Sequence, residues 1–201
     1  MPRHTRTRPF ARLRAAAPPL LCLLFALALT GGSAARSQGG ADESKWETTT
    51  SGGMSFSLPG KPKEQTQTVQ SPSGPVEVRI TSFERGREAF MVAHTEFPAQ
   101  IANSPALANP KVLLDTGRDG ALRNVNGKLI SERDLVLNGH PGREVVGEVS
   151  EKKSAFTARI YWAKPNLYQI VYIHTQGTAV SADGRKFLDS LKIEKPAAPP
   201  N

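Results

Sequence analysis

Residues Ala155 to Ala163 and Leu167 to Thr175 are two alternating runs separated only by Lys164-Pro165-Asn166. Strands joined by so short a connection have to pair antiparallel, because a parallel return needs a crossover of a dozen residues or more. Within the pair, Phe156, Ala158, Ile160 and Trp162 share one sheet face. Tyr168, Ile170 and Tyr172 share a face of the partner strand. An antiparallel sheet around this hairpin is the strongest constraint on the fold.

Other segments repeat the period of two. Met54, Phe56 and Leu58 alternate with Ser55 and Ser57, and Pro59-Gly60-Lys61-Pro62 ends that strand. Val76 to Ile80 alternates apolar with charged residues. Glu84-Arg85-Gly86-Arg87 turns the chain into a strand from Glu88 to Phe97. Leu129 to Leu137 alternates more weakly, Asn138-Gly139-His140-Pro141-Gly142 reads as a turn, and Arg143 to Val149 returns. Two segments break the period. Asn109 caps and Pro110 opens a helix carrying Val112, Leu113, Leu114, Leu122 and Val125, closed by Gly127. Ser181 caps a second helix, with Phe187, Leu188 and Leu191 on one face. The expected class is α+β: a single antiparallel sheet of six to eight strands with two or so helices packed on it.

The N-terminus reads as an export signal. Arg3, Arg6, Arg8, Arg12 and Arg14 precede an apolar run from Leu20 to Leu29, and Gly31, Gly32, Ser33, Ala34 and Ala35 follow. That is a basic region, a short hydrophobic region and a small-residue cleavage site. The run falls well short of the roughly 20 apolar residues that span a bilayer, so no stable membrane span is expected after cleavage. Residues 1–35 are assigned to the signal and 36–44 to a flexible lead-in. A single α+β domain follows over 45–194, with a disordered Pro/Ala tail over 195–201. The expected location is periplasmic or extracellular.

Setting the leader aside changes the charge argument. The chain has 26 basic and 18 acidic residues, net +8. Without the five leader arginines and with every acidic residue retained, 21 and 18 remain, net +3. A balance this small, with no concentrated patch, excludes a nucleic-acid partner. The one cysteine, Cys22, lies in the leader. Disulfides, Cys-ligated zinc and thiol catalysis are therefore excluded from the domain.

Phe56-Ser57-Leu58-Pro59-Gly60-Lys61-Pro62, Asn138 to Glu144, the Ala158-to-Ile173 hairpin and the closing Phe187 to Ile193 occur in an order that resembles PsbP-like and DcrB-like domains. The resemblance covers most of the chain beyond the leader. It implies a PsbP-like α/β/α sandwich in an accessory exported protein, and it implies no activity.

Chemistry is sparse. His94, His140 and His174 lack the close spacing of helix-borne metal ligands, so no metal site and no cofactor is expected. No G-x-S-x-G elbow or glycine-rich phosphate loop occurs. The candidate ligand-binding residues are His140 and Arg143, presented by the Gly/Pro turn, with Arg143 able to grip a carboxylate or phosphate. Asp115 and Asp119, four apart on the first helix, supply the alternative: a small extracytoplasmic hydrolase with a site around His140, Asp115 and Asp119. The preferred reading is a non-enzymatic accessory or binding domain of the cell envelope, whose partner is an envelope protein or an anionic ligand.

Overall fold

A computed structural model of the protein describes residues 45–71 and 74–194. The leader and its cleavage site, the lead-in and the tail lie outside the described residues. The chain opens with β1 (Glu47–Ser51) and β2 (Met54–Leu58), then β3 (Lys63–Ser71), β4 (Gly74–Arg85) and β5 (Glu88–Glu96). Three helices follow: α1 (Ala99–Ala102), α2 (Pro105–Ala108) and α3 (Pro110–Asn124). Then come β6 (Lys128–Leu137), β7 (His140–Val149), β8 (Ser154–Ala163), β9 (Asn166–Thr175), α4 (Ala182–Asp189) and β10 (Lys192–Ile193).

The strands form two sheets, not one. A seven-stranded antiparallel sheet has the order β3-β4-β5-β9-β8-β7-β6. A second sheet, β1-β2-β10, has three strands. Alternation along Met54 to Leu58 correctly marks one buried face, but it cannot say which neighbour completes the strand. Its apolar side chains turn onto a face of the large sheet, so β2 packs there and does not extend an edge. Gly52 and Gly53 join β1 to β2 with φ of 57° and 77°, the left-handed pair that a two-residue hairpin requires.

The chain enters the large sheet at one edge, crosses it through α1–α3, and returns from the opposite edge to close β9 against β5. This places β9 centrally and buries both of its faces. Ile170 and Val171 are each 0% exposed although they point in opposite directions. On the helix side, Val171, Phe156, Ala158, Ile160 and Trp162 pack with Ile101, Leu107, Leu113 and Leu114. On the other side, Ile170, Tyr168 and Tyr172 pack with Phe56, Leu58, Phe187, Leu188 and Leu191. Each large side chain removed from water in this way contributes about 1.5–3 kcal/mol before the entropy of ordering it.

Both capped helices form where expected. The Asn109 side chain accepts from the Lys111 N–H at 3.0 Å, and Ser181 Oγ accepts from the Gly184 N–H at 3.0 Å. Val112 departs from expectation. It is 51% exposed, because Leu113 and Leu114 take the buried face of α3. Gly184 explains how α4 lies so close to the sheet: a Cβ there would enter the Tyr172 ring.

Candidate functional site: a cleft at the end of the sheet

Asn138 and Gly139 alone form the β6–β7 turn, both with positive φ, at 52° and 86°. His140, Pro141 and Gly142 belong to β7, paired with Leu137, Val136 and Leu135. The five-residue turn expected from the sequence is therefore a two-residue turn, and Pro141 is accommodated within the strand. Successive strand residues face opposite sides. His140 consequently points to the three-stranded sheet and Arg143 to the helices.

Arg143 is buried, its side chain 5% exposed, and is bound on several sides. It bonds Asp115 of α3, Glu132 at 3.0 Å and Asp134 at 2.9 Å. Arg118 joins the same network through Glu132 at 2.6 Å and Asp119 at 2.8 Å, and Lys111 reaches Asp115 at 2.8 Å. The Lys111 hydrogen bond, with Arg143 beside it, holds the Asp115 pKa below the usual carboxylate range. Arg118, helped by Arg143, does the same for Glu132. Burial works against the Arg143 charge, and the surrounding carboxylates outweigh it. Asp115 and Asp119 thus share a side of α3, as their spacing implies, but they meet guanidinium groups on the face of the sheet opposite His140. The trio proposed for a hydrolase does not converge.

Register could have revealed this. An Asn-Gly turn of two residues places Asp134 directly opposite Arg143 and Arg133 directly opposite Glu144, and both pairs form. Glu144 also accepts from Arg159 at 2.7 Å, on the face shared with His140.

His140 is 9% exposed rather than open to water. Its Nε2–H donates to the Glu194 carbonyl at 2.9 Å. Asn138 Nδ2 donates to the Ile193 carbonyl at 2.7 Å, and the Glu194 N–H donates to the Gly53 carbonyl at 3.1 Å. These bonds clamp the end of β10 against both turns. His140 lines a cavity of about 320 Å³ with Gly52, Gly53, His94, Tyr168 and Glu194. A larger cavity of about 790 Å³ adjoins it, between Arg79, Phe97, Pro98 and Pro165. His94, Glu96 and Lys164 line both. Volumes of this size suit small-molecule ligands.

His94 forms the wall between the two cavities. It is 4% exposed, lies opposite Tyr168 in the β5–β9 register, and stacks on that ring at 5.0 Å with planes 12° apart. Its Nε2–H donates to Asn166 Oδ1 at 2.9 Å. Tyr168 donates to the Gly52 carbonyl at 2.6 Å, and burial pushes its hydroxyl pKa up. A Cβ on Gly52 would overlap the His94 ring, so glycine is needed there for space as well as for φ. Arg79 bonds Glu77 at 2.8 Å. Lys164 and Glu96 are exposed, and among the described residues neither side chain has an ion-pair partner. His174 lies apart from the cleft, held by Thr178 Oγ1 at 3.0 Å and stacked on Tyr172.

The strand reading of Glu88 to Phe97 does not set His94 apart from its neighbours. The place of His94 beside His140 in one cavity depends on β5 ending where β7 begins, at the same end of the sheet, and strand periodicity carries no signal for that. Trp162, Tyr161 and Tyr172 are core residues, whereas Tyr168 borders the cleft.

No protein-family model and no curated protein matches the chain. A solved structure of a protein of unknown function from Pseudomonas aeruginosa overlies 55% of this chain and 83% of its own length. The identity is 11% and the TM-score 0.33, too low to bear on fold or function.

Proposed function

We propose that this is an exported, non-enzymatic accessory or binding domain of the cell envelope, and that its ligand seats in the cleft at the end of the large sheet. The observation that carries the reading is the pair of adjoining cavities divided by His94, Glu96 and Lys164. Of the polar lining, His94, His140 and Tyr168 are held by hydrogen bonds and stacking, and so are preorganised. Phe97, Pro98 and Pro165 add apolar surface. Lys164 supplies a free cation for an anionic group, the role first given to Arg143, whose own donors are engaged by carboxylates. His140 contributes as a wall residue of the smaller cavity. The layering, with helices on one face and strands plus α4 on the other, is compatible with the PsbP-like arrangement suggested by the sequence motifs. We extend that likeness no further than an accessory role.

Affinity capture from the native envelope tests the proposal. Wild type and Arg143→Met should retain the same bound species, while Lys164→Glu should lose it without a change in unfolding midpoint. Equal capture by all three proteins would remove the cleft from the account.

A further inference from the structure

The two long edges of the large sheet are built differently. β6 carries Lys128, Glu132, Arg133 and Asp134, and its register shifts between Leu129 and Ser131. Charges and irregularities of this kind keep an exposed edge from pairing with another chain. β3 has neither along its central part. From Gln65 to Gln70 it reads Gln-Thr-Gln-Thr-Val-Gln, with no charge and no proline, in unbroken register with β4 from Lys63 to Ser71. Among the described residues, no strand pairs with its outer side.

We propose that β3 is a self-association edge: two copies of the chain join antiparallel through it, about a two-fold axis passing through Thr68 along the sheet normal. The neutral segment is close to self-complementary about that point. Thr68 meets its own copy, Gln67 meets Val69, Thr66 meets Gln70 and Gln65 meets Ser71. Facing threonines are a favourable cross-strand pair. The charged residues Lys63 and Glu64 fall beyond the paired segment, so no like charges oppose each other there. Rotation about the sheet normal preserves the two faces. Val69, which packs against the helix-side core, therefore remains on the helix side in both copies. A foreign peptide added to an edge is selected by pockets for its alternate side chains. Neither cavity described above is lined by a β3 residue, which favours a second copy over such a peptide.

The test uses the full chain carrying Cys22→Ser, so that an introduced cysteine is the only thiol whether or not the leader is removed. At the two-fold axis, opposed Cα atoms lie about 4.5–5.5 Å apart, within disulfide range. Each residue away from the axis separates the equivalent pair by about 6.8 Å more. Under mild oxidation, Thr68→Cys should form a disulfide-linked dimer rapidly. Lys63→Cys, and Val136→Cys on the opposite edge, should do so only at the collisional rate. Sedimentation should show a concentration-dependent dimer that Thr68→Lys weakens about tenfold by opposing two charges. Three results would overturn the proposal: a monomer at every concentration with Thr68→Cys crosslinking no faster than Val136→Cys, a dimer unaffected by Thr68→Lys, or a monomer whose β3 edge instead takes up an added peptide strand.

Discussion

Replacing Arg143 with alanine should destabilise the domain while sparing the cleft. The guanidinium is buried, but its carboxylate partners are not: the side chains of Asp115, Glu132 and Asp134 are 30%, 34% and 79% exposed. Once the cation is gone, water can reach all three. The cost therefore falls below the roughly 3–5 kcal/mol of breaking a fully buried pair. Three partly exposed contacts at a few tenths to about 1 kcal/mol each, plus the lost packing of the arginine stem, give about 2–3 kcal/mol. Arg143→Met refills much of the space and should cost about 1–2 kcal/mol, less than alanine. Urea unfolding measures both through the midpoint at constant slope. An alanine variant within about 0.5 kcal/mol of wild type would mean that the network contributes little to stability. It would also return Arg143 to consideration as a ligand residue.

Three further outcomes follow from the same structure. Ile170→Ala should cost about 2–5 kcal/mol in the same assay, because Ile170 is fully buried beneath β2 and α4; an unmoved midpoint would contradict its central position. Gly52→Ala should cost more than Gly139→Ala. Both have positive φ, at 57° and 86°, but a Cβ at 139 meets open space whereas one at 52 enters the His94 ring; calorimetry ranks the two. Acid should weaken the domain. Asp115, Glu132 and Glu144 have folded pKa values below their ordinary 3.8, 4.5 and 4.5, so the unfolded chain takes up protons first. The stabilisation is complete above those ordinary values and is lost as pH falls through the depressed folded ones. Unfolding midpoints measured from pH 6 to pH 2 should decline in that order, and a flat profile would exclude the linkage.

Strands whose one or both faces are buried were legible, because burial imposes a period of two or a continuous apolar run. β2, β4, β8 and β9 are of this kind. β3 escaped notice: its Thr and Gln side chains are mostly exposed, and an edge strand of that composition has no apolar stripe. β10 is too short to carry a pattern and exists because the chain after α4 is held against β2, Gly53 and Asn138. The helix caps were legible because Asn109-Pro110 and Ser181 act locally. The candidate site was only half legible. His140 was singled out for its unusual neighbours, but its partner in the cleft, His94, comes from a distant strand. His140, Pro141 and Gly142 were assigned to a turn that presents Arg143, because proline and glycine after Asn138-Gly139 read as turn residues, although Asn-Gly alone suffices.

Amide chemical-shift mapping tests the central claim most directly. Isotope-labelled protein would be titrated with inorganic phosphate and, separately, with vesicles of acidic phospholipid. The account predicts saturable shifts at His94, Glu96 and Lys164 with at least one of these anions, abolished by Lys164→Glu and retained in Arg143→Met. Absence of shifts at these residues with both probes, or shifts centred on Arg143 and α3, would contradict it.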